Sequence, residues 1–474
     1  MSKLPVGWEC VSIIELLAPL ADGRIIHQGW SPQCAQGASP NSDVWGVLKT
    51  TAIQNGRFLP EQNKLLPEAL EPRNLLEVHD GDILLTCAGS RIRCGVPCLV
   101  RSTRPKLIIS GKMYRMRAME PGIESRFVEA MLRAPVTQDA IDGIKTGMSE
   151  SGMNLTHARF AKLEIPVPPT NEQKRIADKL NAVLGRVDAC RDRLDHIPAI
   201  LKRFRQSVLA AATSGKLTEE WRAEQVAALQ SSVWQVGTLA NLLIGKPRNG
   251  YSPRAVEYET SVKSLTLTAT TSGRFKGEHF KYIDEEISQE SHLWLQPGDI
   301  LIQRANTLES VGVSAVFDGP PSTYIYPDLM MKAKANELVK PKFLHYLLLS
   351  EPVRRHFRDN ATGTAGNMPK INQPTVLSAP VTWPSLEEQT EIVRRVEALF
   401  ACADRLEARY TAARAQVEKL TPATLARAFR GELVPQDPND EPASVLLERI
   451  RTKHNDQSSN KPKRGRQSPQ SKIA

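Results

Sequence analysis

Three cysteines lie close together, Cys87, Cys94 and Cys98, with six and three residues between them. A structural zinc site takes four thiolate or imidazole ligands in tighter pairs, and no histidine pair stands nearby. The seven cysteines are odd in number within a 474-residue chain, which argues against a disulfide framework. These three therefore read as buried reduced thiols, and no metal site is expected. His79 and His292 each stand shortly before a Gly-Asp-Ile-Leu tetrapeptide. A general base could sit there, but the nine histidines are scattered, and a loop histidine satisfied by its neighbours fits better. Asp82 and Asp299 open short apolar strands, as a nuclease acid can. The downstream acid and lysine of a nuclease are missing, which leaves a turn residue. Ser214-Gly215-Lys216 is a helix stop with a charged neighbour, not a phosphate loop. HExxH and Gly-x-Ser-x-Gly are absent. So are the Gly-rich cofactor turn and the Asn/Asp-Pro-Pro-aromatic pocket that an aminomethyltransferase uses on a flipped base. The residues offer no catalytic constellation.

The elements that carry these residues occur twice. Gly56-Arg57-Phe58 returns as Gly273-Arg274-Phe275, Gly81-Asp82-Ile83-Leu84 as Gly298-Asp299-Ile300-Leu301, and Gly95-Val96 as Gly312-Val313, all at an offset of 217. Further on the offset is 216: Thr146-Gly147 matches Thr362-Gly363, Glu172-Gln173 matches Glu388-Gln389, Asp188 matches Asp404, and Gly215 matches Gly431. This is a duplication of a domain-sized unit, not a solenoid of short repeats. Each copy opens on strand and turn signals and turns through Gly-Asp into an apolar strand. Short helical stretches follow, near 125–132 and 341–350. A proline-rich stop then leads into a long helix.

In the first long helix Ile176, Leu180, Val183, Val187, Cys190, Leu194, Ile197, Leu201, Phe204, Val208 and Ala211 alternate spacings of four and three. In the second, Ile392, Val396, Leu399, Ala403, Leu406, Tyr410, Ala413, Val417 and Leu420 keep the same frame. That is a heptad seam, narrow as coiled-coil packing requires, and pairing of the two helices is the expected outcome. A helix over 171–212 is roughly 60 Å long. Thr170 with Gln173, and Ser385 with Glu388, fit a capping box. Gly215 and Gly431 are natural stops. Pro198 and Pro422 should kink or break their helices.

Hydrophobic residues make up 41% of the chain, enough for packed cores and too many for a wholly disordered chain. The net charge is +10. Residues 451–474 hold seven basic side chains and one acid, so the other 450 residues carry only +4 and an anionic partner must be met by local patches. The tail itself reads as disordered. No stretch reaches the ~18 apolar residues of a membrane span and the N-terminus lacks a secretory pattern, so a cytoplasmic protein without membrane contact is expected.

Taken together, the repeated Gly-Asp-Ile-Leu and Gly-Val, the Pro-Pro or Trp-Pro run into Glu-Gln, the long heptad helix, GKLTEEWR after the first helix and RGELVPQDPNDEPA after the second resemble the specificity subunit of type I restriction–modification enzymes. The resemblance covers residues 4–450. It implies an α+β protein: two mixed α/β target-recognition domains related by a pseudo-twofold duplication and separated by two long helices that form an antiparallel coiled coil. The expected divisions are a recognition domain over 1–168, a helix over 169–215, a linker over 216–232, a recognition domain over 233–383, a helix over 384–431, an extension over 432–450 and the tail over 451–474. The resemblance further implies that each recognition domain reads one half of a split sequence in double-stranded DNA. The helices act as spacer and dock two modification subunits. Those subunits bind S-adenosylmethionine and methylate adenine at N6, so this chain holds no cofactor, and restriction subunits can join the complex. A twofold axis across the helices favours half-sites about one helical turn, ~34 Å, apart.

Candidate DNA-binding side chains on the loops are Lys49, Thr51, Arg57, Arg91 and Arg93 in the first copy, and Arg274, Lys276, Arg304, Asn306 and Lys332 in the second. Arginine can read guanine, asparagine adenine, and lysine mostly holds phosphate. Arg57 and Arg274 share a Gly-Arg-Phe context in copies that otherwise differ, which suits phosphate positioning or structure. The Gly-rich stretches near 146–152 and 362–367 could donate backbone N–H groups to phosphate. Two alternatives stay open: a coiled-coil partner-binding protein without a DNA role, and a self-contained restriction enzyme with a degenerate active site.

Overall fold

The computed structural model describes residues 4–34, 37–39, 42–226, 234–363 and 368–459. Most of the basic tail, the end of the linker and residues 364–367 of the second Gly-rich stretch lie outside them. The chain forms two compact units, one of residues 1–193 with 413–474 and one of residues 194–412. The division falls within the two long helices, so each unit holds part of both.

In the first unit the strand Glu9–Ser12 pairs antiparallel with Glu164–Val167, immediately before the first long helix. A four-stranded sheet runs in the order His27–Gln28, Met113–Met116, Ile83–Thr86, Pro97–Leu99, and a three-stranded sheet in the order Leu107–Ile108, Gly46–Leu48, Asn63–Leu65. The strand after the Gly-Asp turn is buried on both faces. Successive side chains alternate sides, and here Ile83 and Leu85 enter one core while Leu84 enters another. The second unit repeats the plan. Gln235–Thr238 pairs with Pro380–Trp383. One sheet runs Arg248–Asn249, Met330–Ala333, Ile300–Gln303, Ser314–Val316. Ile300 and Ile302 face one core and Leu301 the other. The copies diverge in the outer sheet, which has four strands here: Ala255–Val256, Phe280–Ile283, Val262–Leu265 and Tyr324–Ile325.

Both Gly-Asp turns need a left-handed residue. Gly81 has φ +86° and Gly298 φ +92°, conformations that glycine adopts without a Cβ penalty.

The long helices are Thr170–Thr213 and Leu386–Ala428. Both continue unbroken through their prolines, so that of the expected kink or break the break does not occur. Pro198 and Pro422 are exposed, so the carbonyl each leaves unpaired four residues earlier can turn to water. In the first unit Ile176, Leu180 and Leu184 share a core with Leu425, Ala428 and Phe429. In the second, Val208, Leu209 and Ala212 share one with Ile392 and Val396. The start of each helix is thus buried with the end of the other, the order of an antiparallel pair.

Burial along the seam is uneven. Ile176, Leu180, Val187, Leu201, Ile392 and Val396 are buried; Val183, Leu194, Leu399, Tyr410 and Val417 are half-buried. Leu406 is 47% exposed and does not act as a seam residue. Near the ends recognition-region side chains widen the buried face and draw in Leu184, Leu209 and Leu425, whereas the middle has only a narrow stripe to bury.

The capping boxes also differ from expectation. The Thr170 hydroxyl donates to the Gly122 carbonyl at 3.1 Å. Ser385 Oγ does accept from the Glu388 N–H, at 3.4 Å, but the side chains of Gln173 and Glu388 turn away to partners in the recognition regions. Gly215 and Gly431 end the helical runs with φ +78° and +72°.

Candidate nucleic-acid interface

Each recognition region presents one loop built the same way in both copies. It starts with a single turn of 3-10 helix, Thr50–Ala52 or Leu267–Ala269. It then passes through Gly-Arg-Phe and closes on itself, with Leu59 N–H donating to the Ala52 carbonyl at 2.8 Å and Lys276 N–H to the Ala269 carbonyl at 2.9 Å. Different side chains brace it. In the first copy the Arg93 guanidinium donates to the Thr50 carbonyl, to the Ile53 carbonyl at 2.8 Å and to Gln54 Oε1 at 3.4 Å. In the second, Gln303 Nε2 donates to the Leu267 carbonyl at 2.8 Å and to the Thr270 hydroxyl at 2.9 Å.

The ten candidate side chains divide accordingly. Arg57 and Thr51 are exposed and Lys49 is half-buried, all on the braced loop of the first copy, and Lys276 is exposed on that of the second. Thr51 also bonds Gln62 at 3.0 Å. Among the described residues Lys49, Arg57 and Lys276 carry no side-chain hydrogen bond or ion pair. Arg93 is the brace, with Nη1 and Nη2 both bonded to the loop. Arg91 lies between Asp142 at 2.6 Å and Glu150 at 2.9 Å. Arg274 reaches the second long helix, where Asp404 takes it at 2.8 and 3.1 Å and takes Arg205 at 2.8 Å. Burial works against the Asp404 carboxylate, but the two guanidiniums outweigh it and hold the group below the usual range. Arg304 is half-buried and bonds the Asp328 carbonyl at 3.5 Å. Asn306 donates to Gln303 Oε1 and accepts from the Thr307 N–H, each at 2.7 Å.

Lys332 is a correction to the expected contact set. It is 7% exposed and donates to the Trp294 carbonyl at 2.8 Å. Burial pulls its ammonium below the ordinary lysine value, with Asp299 opposing. It belongs to a buried charge cluster that both copies share. The Asp299 carboxylate caps its own turn at the Gln296 N–H (2.9 Å) and meets Lys332 at 3.5 Å and Lys334 at 3.7 Å. The Asp82 carboxylate takes the His79 N–H at 2.8 Å, Arg115 at 3.3 Å and Arg117 at 2.6 Å. The repeated aspartates are therefore turn residues with paired cations one strand away, not free acids. Burial likewise pushes the Cys87 thiol up to about 12, where a thiol is inert.

Two more repeated side chains matter, which the sequence singled out only as a helix start. Gln173 Oε1 accepts from the Glu124 N–H at 3.1 Å, and Gln389 Oε1 from the Lys340 N–H at 2.8 Å. Each satisfies an orphan donor at the N-terminus of the short helix Ser125–Arg133 or Pro341–Leu349. Glu172 and Glu388 take the indole N–H of Trp8 and Trp234 at 3.1 and 3.2 Å. The Glu-Gln pairs thus fasten each recognition region to the first turn of its helix. Their recurrence was the signal, and the helix-capping pattern masked it.

Comparison with known proteins fits this plan. The family described as type I restriction modification DNA specificity domain matches residues 140–198. The chain is 30% identical over 460 residues to the type I restriction enzyme EcoKI specificity subunit of Escherichia coli (strain K12), covering 95% of this chain and 96% of that protein. It is 28% identical to the StySPI specificity subunit of Salmonella potsdam, covering 95% and 96%. Among solved structures, a chain from a study of complex assembly and conformational transition of the type I R-M system superposes with a TM-score of 0.65 at 18% identity, covering 91% of this chain and all of that one. The HsdS subunit from Thermoanaerobacter tengcongensis gives 0.52 at 18%, covering 91% and 98%. At that identity the structures attest a shared fold. The full-length relationship to EcoKI goes further: this chain belongs to the specificity subunits of type I restriction enzymes.

Proposed function

We propose that this chain is the DNA-reading subunit of a type I restriction–modification complex and that it performs no chemistry itself. The regions 1–168 and 233–383 each read one half of an asymmetric bipartite target, and the long helices set the spacer between the halves. Two modification subunits dock on the helices and their flanks, bind S-adenosylmethionine and methylate adenine at N6; restriction subunits join when the complex cuts. The chain works in the cytoplasm. Among the described residues no helix is long and apolar enough to cross a membrane.

One observation carries this reading. The two units keep the same buried scaffold, from the Asp82 and Asp299 clusters to the Glu-Gln fastenings, yet differ in the side chains that brace and decorate the exposed loop. A common frame with divergent loops is what two readers of different sequences need. The test is methyl transfer from labelled S-adenosylmethionine to plasmid DNA. The chain alone should give none, and the chain with its modification subunits should methylate adenine within one bipartite sequence. Methyl transfer or cleavage by the chain alone would falsify the reading.

A further inference from the structure

The two fastenings between recognition region and helix are not equal. At the second, Glu388 is fully buried and its Oε1 accepts from three side chains: Thr218 Oγ1 at 2.7 Å, Arg222 Nη2 at 2.7 Å and Nε at 3.1 Å, and Trp234 Nε1 at 3.2 Å. Trp234 stands just before the opening strand of the recognition region. Thr218 and Arg222 belong to the segment that follows the first long helix. One carboxylate thus ties three elements of the second unit, and the Arg222 guanidinium also donates to the Gly215 carbonyl at 2.6 Å.

At the first fastening Glu172 is 1% exposed. Its Oε2 takes the Trp8 indole at 3.1 Å, and its Oε1 is buried with no hydrogen-bond partner among the described residues. The repeat offset places Val434 and Pro438 where the second unit has Thr218 and Arg222. Neither side chain can donate. Arg175 is turned to Asp440, at 2.5 Å. Burial holds the Glu172 carboxyl above the usual range, with the Trp8 N–H and Arg175 opposing. A buried acceptor without its donor costs stability and tolerates neutralisation, whereas a buried carboxylate facing a guanidinium depends on its charge.

We propose that Glu172 and Glu388 are positioning residues that set the angle of each recognition region on its long helix, with the Glu388 joint locked by a cation and the Glu172 joint held by one indole alone. This rests on the reading of the helices as the spacer of a bipartite DNA reader. A tilt of about 6° moves a point about 30 Å away, the diameter of a small domain, by about 3.4 Å, one base-pair rise. The joints therefore decide how strictly the spacer is held.

The experiment maps methylated adenines across a bacterial genome that expresses the complex with its modification subunits, which reads half-sites and spacer together. Glu172→Gln keeps the acceptor for Trp8 and should leave one spacer length. Glu388→Gln removes the charge facing Arg222 and should admit spacers one base pair longer or shorter, with the half-sites unchanged. Trp8→Phe should broaden the spacer, because it removes the one donor there. Trp234→Phe should not, because Thr218 and Arg222 remain. If Glu388→Gln does not assemble, Arg222→Ala reads the same joint, and Arg222→Lys should restore part of the strictness. A single wild-type spacer in every assembled variant, with only the thermal midpoint lowered, would reduce these residues to structural ones and overturn the proposal. Equal broadening by the two Glu→Gln variants would overturn the inequality. A wild-type complex that methylates with no fixed spacer would instead remove the reading on which the proposal rests.

Discussion

Arg57 and Arg274 occupy the same place in the repeat but meet different surroundings. Arg57 is exposed on its loop, while Arg274 is spent on Asp404 of the long helix. Of the two, we therefore propose a phosphate role for Arg57 only. Arg57→Ala should weaken binding to all DNA sequences alike and lower the salt slope of binding by about one. Arg274→Ala should leave that slope unchanged and cost about 0.5 kcal/mol of stability or less, as exposed ion pairs do. Titrations at several salt concentrations, beside thermal melts, separate the two; equal losses of slope would restore the shared role. The difference was not legible in the sequence, because Asp404 and its repeat-mate Asp188 look alike as well. Asp188 pairs instead with Arg191, three residues along its own helix. Lys332 misled for the same reason. A lysine reads as surface until its buried partner is known, and Asp299 lies 33 residues away in sequence. One clue was available: the same offset that links the Gly-Asp turns also links Lys332 to Arg115 and Lys334 to Arg117.

Elements were easier to foresee than contacts, since periodicity is local and contacts are not. The spacing of four and three located both long helices, and the Gly-Asp pair located the buried strand after each turn. A break at the prolines was over-read because the pattern does not say which positions face water. Leu406 was over-read because a regular apolar spacing does not guarantee something to cover it. The pair of helices nonetheless has a testable consequence. Each unit holds the start of one helix and the end of the other, so both must lengthen together. Four residues inserted between Arg193 and Leu194, and four between Ala412 and Ala413, add about 6 Å to the pair and roughly one turn. The DNA spacer should grow by about one to two base pairs at 3.4 Å each, with both half-sites retained. Two-residue insertions rotate the seam by about 200° and should abolish assembly. Methylation mapping of the four-residue variant decides the matter: an active complex with the original spacer would mean that the helices do not measure the site.

At the scale of the whole molecule, we propose that the duplication makes each unit a separate reader carried on shared helices, and the contacts within the first unit suggest where such a reader can be cut. The strand Glu9–Ser12 pairs with Glu164–Val167, Trp8 is bonded to Glu172, and Gln173 caps the helix that begins at Ser125. Phe127 of that helix stacks on Phe429, with ring centroids 5.4 Å apart. An exchange of residues 1–168 would carry the strand pair along whole but replace one side of each of the other three contacts at once. Exchange of residues 19–110 for the same stretch of a relative leaves the opening strand, the Glu-Gln partners and Phe127 in place. It still replaces the braced loop with Lys49, Thr51, Arg57, Arg91 and Arg93. The Asp82 cluster gains cations from Arg115 and Arg117 outside the exchanged stretch, so the donor must carry the same Gly-Asp turn. Under these conditions the chimera should assemble with the modification subunits and methylate a sequence with one half changed. The other half and the spacer should be those of the parent. Adenine methylation mapping reads all three at once. Changes in both halves would show that the units do not read independently; an unchanged target would place base reading outside residues 19–110, in the part of the first unit that the exchange leaves alone.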